Sequence, residues 1–490
     1  MITNTLPIAV IGAGPVGLAA TAHLLERGET PIVYETGDSI GANVLQWQHV
    51  RMFSPWEFTV DSATVRMLEA NGWQMPPAKD LPTGRELVER YMQPFAELPT
   101  VREAIHLNAR VVAVSRRNID KMKDAGRDDA PFMLHVVYGD GREELVEARA
   151  VIDASGTWQK PNPLGSGGLP AIGEKRHADH IFYGIPDVLN ADQDRYANKR
   201  VMVVGSGHSA INALLELAKL KDIAPQTTIY WVMRGSNLTR VFGGGENDGL
   251  AARAQLGGRI KVYVDAGTVQ LITPFRLTQI ADAERGVNVI GETPAGRELF
   301  QVDEIITATG ARPDLEMLRE LRLELDPSLE STRALGPMID PNLHSCGTVR
   351  PHGEAELRHP DKNFYIVGMK SYGRAPTFLL ATGYEQVRSV VAALVGDWES
   401  ARDVQLNLPE TGVCSSDPAE DGASCCGPTS INVTLQPALI SLGSIPVNGN
   451  LLQIATPQAV VTVKDCSCET TCCADGTKST TCGCDSTCCG

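Results

Sequence analysis

Pro7-Ile-Ala-Val-Ile11, Gly12-Ala-Gly14-Pro-Val-Gly17, Leu18-Ala-Ala-Thr-Ala-His-Leu-Leu-Glu-Arg-Gly28 and Pro31-Ile-Val-Tyr-Glu35 follow one another near the N-terminus. They read as a strand, a glycine turn, a helix and a second strand closed by a carboxylate. Gly12 permits the tight turn, Gly14 lets backbone approach a pyrophosphate, and Gly17 lets helix and strand pack closely. The helix N-terminus adds unpaired N–H groups that suit phosphate. Glu35 stands about twenty residues further on, where a carboxylate can accept from a ribose hydroxyl. A βαβ turn without ligand can carry the same glycines. The strand before, the helix after and the acid at that offset together select a dinucleotide site.

The pattern returns at Arg200. Val201-Met-Val-Val204 is a buried type of strand, Gly205-Ser-Gly207-His-Ser209-Ala210 a second glycine turn, and Ile211 to Leu220 an amphipathic helix. The next strand, Thr228 to Met233, ends on Arg234 where the first unit has Glu35. An acid suits a free 2′-hydroxyl, whereas an arginine pairs with a 2′-phosphate, so the second unit is expected to take NADPH. A surface arginine beside Gly235 is the plainer alternative.

Two further turns bracket the second unit. Leu145 to Asp153 reads as a strand running into Ala154-Ser-Gly156, with Pro161 and Pro163 behind it. Glu304-Ile-Ile-Thr-Ala-Thr-Gly310-Ala-Arg-Pro313 repeats that layout. Small residues before a glycine bring backbone near a ligand, and prolines mark a crossing between domains. The expected fold is therefore α/β with two Rossmann-like domains, the NADPH domain (164–312) inserted into an FAD domain made of 1–163 and 313–397. Asn363 to Lys370 would supply the last FAD-domain strand, with Gly368 at its end, and Ala375 to Leu394 a long helix. Thr83 caps a helix over Gly84 to Met92. Gly37 to Asp61, with Trp47, Arg51 and Ser54, lacks clean periodicity and reads as a loop over a cofactor ring; its aromatics could equally plug the core. The cofactor contacts expected are Gly12, Gly14, Gly17, Glu35, Trp47, Arg51, Ser54, Gly156 and Gly368 for FAD, and Gly205, Gly207, Ser209, Arg234 and Gly310 for NADPH.

The 490 residues are 43% hydrophobic with a formal net charge of -15. Nucleic acid and anionic membrane would be repelled by that charge, so neither is an expected partner. No apolar run is long enough to span a bilayer, and the N-terminus shows no leader pattern; a soluble cytoplasmic protein is the expectation.

Cysteine divides the chain. None of the 12 precedes Cys346 and eleven follow residue 410. An acidic linker and small extension (398–465) carries Cys414 and Cys425-Cys426, and 466–490 is a tandem repeat. Cys466-Ser-Cys468-Glu-Thr-Thr-Cys472-Cys473 and Cys482-Gly-Cys484-Asp-Ser-Thr-Cys488-Cys489 both read CxCxxxCC. Clustered thiols form a soft-ligand cage for Zn²⁺, Cu⁺ or trivalent arsenic, with Cys414, Cys425 and Cys426 available to join it. Structural disulfides would conflict with a cytosolic setting. His344, Cys346, His352 and His359 have mixed spacing that suits ordinary surface or core histidines better than a metal site.

Taken in order, Gly12 to Gly17 with Glu35, Ala154-Ser-Gly156, Gly205 to Ala210 and Ala308-Thr-Gly310 resemble the class B flavoprotein monooxygenases over about residues 5 to 395. Trp47 to Pro55 and Glu410-Thr-Gly-Val-Cys414 with Cys425-Cys426-Gly-Pro are most similar to the flavin monooxygenases of bacterial arsenic-resistance operons. The resemblance implies FAD, NADPH and a flavin C4a-(hydro)peroxide that passes oxygen to a soft nucleophile. Two motifs depart from related patterns. The fingerprint FxGxxxHxxx(W/F) is replaced by His177-Ala-Asp-His180-Ile-Phe-Tyr-Gly184, and the Gly-Asp pair of disulfide reductases is Gly368-Met369.

Overall fold

Ile8–Ile11 is buried at every position because parallel strands flank it on both sides. Such strands read as unbroken apolar runs, since helices cover both sheet faces. The computed structural model describes residues 5–242, 251–343, 349–376 and 378–406, with the backbone of two strands at 442–447 and 450–455. Its first sheet is five-stranded and parallel, in the order Phe364–Ile366, Ala150–Asp153, Ile8–Ile11, Pro31–Tyr34, Ile105–His106. The second has the order Val269–Ile272, Thr228–Val232, Arg200–Val204, Glu304–Thr307, Ile181–Tyr183, again parallel.

Each sheet follows its glycine turn with a helix. Pro15 sits at the first position of Pro15–Glu26, where its fixed φ suits a helix start and its missing N–H is not needed. Val16 to Leu24 of that helix are all buried, and the small Ala19, Ala20 and Ala22 let it lie close to its neighbours. His208–Ile223 is its counterpart on the second sheet.

The two halves share a further device. A three-stranded antiparallel sheet, Ala109–Arg116, Phe132–Tyr138 and Glu143–Ala148, leads directly into Ala150–Asp153. A second, Arg276–Asp282, Val287–Thr293 and Gly296–Val302, leads directly into Glu304–Thr307. The single strand expected over Leu145 to Asp153 is thus two strands of different sheets. The chain changes partners at Arg149, whose guanidinium is tied to Glu29; alternation and apolarity alone do not reveal such a switch. Asp303 holds the same joint in the second half, bound to Arg200.

The expected loop over Gly37 to Asp61 contains a short helix, Ala42–Leu45, and a 3₁₀ turn, Trp56–Phe58. The Thr83 helix begins with a reciprocal cap between Thr83 and Glu86 and passes through a π segment, Val88–Met92. The long C-terminal helix starts at Leu380 rather than Ala375, after a 3₁₀ turn over Gly368–Tyr372.

The crossings at the two proline-marked turns pair with each other. Asn162 N–H donates to Gly310 O (2.9 Å) and Arg312 N–H to Lys160 O (3.0 Å). The Thr309 hydroxyl donates to Asn162 O (2.7 Å), and the Asn162 amide returns a bond to Thr309 O (3.1 Å). Residues 418–490 form a separate unit in which Leu442–Val447 and Asn450–Ala455 pair antiparallel. Cys414, Cys425, Cys426, Cys466, Cys468, Cys472, Cys473, Cys482, Cys484, Cys488 and Cys489 lie outside the described residues, as do His344 and Cys346.

One buried ion cluster ties distant loops together. Asp361 accepts from Arg127 Nε and Nη2 (2.9 and 2.8 Å), from Arg116 Nε (3.2 Å) and from Arg322 N–H (2.6 Å). Burial pushes its carboxyl up, but these hydrogen bonds and the two guanidinium charges outweigh burial and hold it below the usual carboxylate range. The second guanidinium charge is absorbed by the carbonyls of Asp120, Ala130, Glu320 and Lys362. Asp361→Asn strands two buried guanidinium groups and should lower urea stability by about 3 kcal/mol. In the wild type this contribution is complete above the unfolded carboxyl value of about 3.9 and is lost as pH falls through the lower folded value. Acid unfolding should therefore begin at higher pH in the variant.

Candidate functional site

The two glycine turns lie at the carboxyl ends of their sheets, where open α/β sheets bind ligands. Gly12 has φ +99°, and a Cβ there would stand 3.0 Å from Ala154 O and 3.1 Å from Ser155 Cα. Gly205 has φ +137°, and a Cβ there would stand 2.2 Å from Ala308 O. In both halves the turn is thus pressed against the carbonyl of the alanine that opens the small-residue turn on the neighbouring strand. A Cβ on Gly17 would fall 1.9 Å from Gly12 O, which is why helix and strand need glycine there.

Gly14, Gly156 and Gly207, by contrast, have nothing within 4 Å of an added Cβ. Gly14 and Gly207 are the N-caps of their helices, where no side chain forms a cap hydrogen bond, and Gly156 lies in the turn against Gly12. An open glycine at a helix N-terminus fits a pyrophosphate. Glu35 is nearly buried; one of its carboxylate oxygens accepts from Ala13 N–H (2.7 Å) and the other from Gly37 N–H (2.8 Å). The carboxylate therefore braces the first turn and keeps lone pairs for a hydroxyl. Gly368 (φ +68°) donates its N–H to Gln386 Oε1 (2.7 Å) and borders Val16 of the first helix.

In the second half, Gly310 (φ +83°) lies beside Asn162, Ser209 is half-buried in the first turn of its helix, and Arg234 is exposed. One Arg234 guanidinium nitrogen donates to Ser166 O (3.0 Å).

The structure uses the aromatic segment in two ways. Trp47 packs its ring on Gly84, where an added Cβ would come within 2.9 Å, and Trp56 is fully buried. Arg51 turns to Leu81 O and Glu86, and Ser54 is buried. Phe53 instead faces the second glycine turn, its ring centroid 5.5 Å from that of His208, the first residue of the second helix. Nearby, Trp158 Nε1 donates to Gln46 Oε1 (2.7 Å) and Gln159 Nε2 to Asn43 Oδ1 (2.6 Å). The segment that starts at the first glycine site thus reaches the second.

The residue pattern marks this segment without singling out Phe53. It does not reveal Gln386 or the buried ion pair of Asp153 with Lys370 (2.7 Å). An acid ending an apolar strand and a lysine inside a glycine-flanked turn were the available signals. His352 donates Nδ1–H to Arg350 O, a tautomer assigned from that bond, and faces Gln386 through Nε2. His359 accepts from Glu324 N–H. Burial pushes both imidazoles down, that of His359 to about 4, so both are neutral core histidines. Among the described residues no cluster of potential metal ligands occurs.

Two nucleotide-type turns on two linked parallel sheets define a flavoprotein oxidoreductase supplied by a nicotinamide nucleotide. Residues 9–334 match the family model for pyridine nucleotide-disulphide oxidoreductases, and the chain belongs to that family. It is similar to a ferredoxin–NADP reductase of Orientia tsutsugamushi (strain Ikeda), 25% identical over 66% of this chain and 78% of that protein. It is also similar to flavin-containing monooxygenase FMO GS-OX-like 9 of Arabidopsis thaliana, 26% identical over 45% of this chain and 50% of that protein. Among solved structures, bacillithiol disulfide reductase from Bacillus cereus shares the fold, with a TM-score of 0.57 and 18% identity over 81% of this chain and 99% of that one. The protein is an NADPH-dependent flavoenzyme in a family that joins reductases and monooxygenases. No helix among the described residues is long and apolar enough to cross a membrane.

The two turns are separable by substitution. Gly17→Ala forces backbone out of place at the first cradle, so with FAD in that cradle the purified variant should retain little FAD by absorbance. With the nicotinamide nucleotide at the second turn, Gly205→Ala should keep FAD but slow its reduction by NADPH at least about a hundredfold in stopped-flow measurements, since a displacement of an ångström at a reacting pair costs that much.

Proposed function

We propose that this protein is an NADPH-dependent FAD monooxygenase that oxidises a soft nucleophile, with trivalent arsenic or antimony as its substrate class. The observation that carries the proposal is the distribution of thiols: residues 1–345, which hold both nucleotide turns, contain no cysteine. A disulfide reductase of this family needs a redox-active pair next to its flavin, and none is available there.

On this reading FAD lies on residues 1–163 and 313–397, held by Gly12, Gly14, Gly17, Glu35, Gly156 and Gly368, and NADPH lies on 164–312. The open cradles at Gly14 and Gly207 support both assignments. When bound, FAD relays two electrons from the nicotinamide to O₂. The protein's own contribution is orientation. Gly205, Gly207 and Ser209 set the nicotinamide nucleotide, Arg234 offers its remaining guanidinium donors to a 2′-phosphate, and Phe53 stands against His208 at the start of the second helix. In the overall reaction NADPH and a proton reduce one atom of O₂ to water, and the other joins the lone pair of As(III) or Sb(III). The product is pentavalent and less thiophilic. The CxCxxxCC repeats of 466–490, together with Cys414, Cys425 and Cys426, supply the soft thiolates that collect such a metalloid, or Zn or Cu(I).

Similarity to a ferredoxin–NADP reductase favours a second reading, electron delivery to a protein acceptor instead of O₂. A third is a monooxygenase for organic sulfides or amines whose tail stores metal. NADPH consumption measured with arsenite, methylarsenite, antimonite, sulfides and amines, with H₂O₂ followed in parallel, separates them. Our proposal expects at least about a tenfold rise with a metalloid and a matching fall in H₂O₂. Equal rates with and without metalloid would overturn it. Deleting 466–490 should raise the metalloid concentration needed while basal NADPH oxidation persists. Arg234→Gln should lower the preference for NADPH over NADH by about ten- to a hundredfold in kcat/KM, the worth of a charge-assisted bond.

A further inference from the structure

The first sheet ends in an ion pair that the cofactor contacts above do not include. Asp153 closes the strand Ala150–Asp153 and lies in register with Ile11 on one side and Ile366 on the other. Its backbone carbonyl accepts from Val367 N–H (2.9 Å). Its side chain is fully buried, as is that of Lys370, and Nζ stands 2.7 Å from Asp153 Oδ2. The same ammonium donates to Ser155 Oγ (3.1 Å). Ser155 in turn donates its hydroxyl (2.6 Å) and its N–H (3.1 Å) to Asp153 Oδ1. Ammonium, carboxylate and hydroxyl form a closed three-membered network.

Its placement carries the inference. Ser155 is the middle residue of the Ala154–Gly156 turn, whose backbone is the wall against which Gly12 is pressed. Lys370 belongs to the Gly368–Tyr372 turn, 217 residues away in the chain. A second buried latch fixes the start of that turn. Gln386 accepts from Gly368 N–H (2.7 Å) and donates to Ser371 Oγ (2.9 Å), while Ser371 donates to Gly368 O (2.7 Å). Two ions desolvated together are a poor source of stability, because apolar residues of similar volume usually do as well. Their value lies in direction. An ammonium fixed from the turn after Phe364–Ile366 dictates where the Ser155 backbone stands beside the glycine turn.

We infer that Lys370 is a positioning residue of the FAD site. Through Asp153 and Ser155 it sets the Ala154–Gly156 turn against Gly12, so the crevice reaches its binding shape only when the 313–397 segment has docked. The inference rests on the reading that FAD occupies the first crevice.

The test titrates FAD into stripped apoprotein by fluorescence and follows apoprotein melting separately. Lys370→Met leaves Asp153 buried without its cation and should weaken FAD binding at least about tenfold. The double variant D153N/K370M leaves no unpaired buried ion, so its melting temperature should recover most of the loss while FAD binding stays weakened, because the network that directs Ser155 is gone. Ser155→Ala leaves no unpaired ion and should weaken binding about threefold, the worth of one neutral hydrogen bond. It also serves where Lys370→Met does not fold. A lower melting temperature in Lys370→Met with FAD affinity within about twofold of wild type would make Lys370 merely structural and overturn the inference. So would unchanged affinity in Ser155→Ala, or FAD affinity in the double variant within about twofold of wild type. Wild-type apoprotein that takes up no FAD would instead remove the underlying reading.

Discussion

The structure depends on an approach that side chains forbid. In each half a glycine turn lies against the carbonyl of an alanine on the next strand, Gly12 on Ala154 and Gly205 on Ala308. Gly17 closes the same space from the helix side, within 1.9 Å of Gly12 O for any added Cβ. This contact brings the helix N-terminus to the sheet's edge and leaves Gly14 and Gly207 facing open space. Without it the N–H groups that suit phosphate would be too far from the strands. That both halves solve the problem with the same pair of turns, each fed by a three-stranded antiparallel sheet, shows one building plan used twice.

That plan was legible in the sequence because glycine is a strict signal wherever φ is positive or backbones touch. The strand–turn–helix–strand order at Ile8 and Arg200, and the small-residue turns at Ala154 and Gly310, could all be read from residue types. The division of Leu145 to Asp153 between two sheets could not. Every residue there suits a strand, and only the hydrogen-bond partners change at Arg149. Trp47 illustrates a second limit: an aromatic beside a nucleotide site can face the ligand or fill the core, and the glycine that accommodates it, Gly84, lies far along the chain. Asp153 and Lys370 were illegible for a related reason. A carboxylate and an ammonium 217 residues apart announce themselves as a pair only after folding.

Buried charge in this molecule serves connection between segments distant in sequence. Asp361 collects Arg116 from the end of an antiparallel strand and Arg127 from the loop that follows it, both more than two hundred residues earlier, with separations of 245 and 234. Lys370 does the same for the strand edge at Asp153. Both clusters join the late segment of the chain to the early one, so they enforce which late strand pairs with which early strand. An apolar contact of equal area would tolerate several registers, whereas a desolvated ion tolerates one.

The paired crossings bear on how the two sheets can move. Residues 160–162 and 309–312 are not independent tethers, since four hydrogen bonds join them into a short two-stranded ribbon. A ribbon of this kind resists shear along its strands but yields to torsion about its long axis. A swing of the arginine-bearing half would therefore have to twist this ribbon and part Phe53 from His208. The spacing of the two glycine turns is tied to that torsion, in the way a wrist sets the reach of a hand.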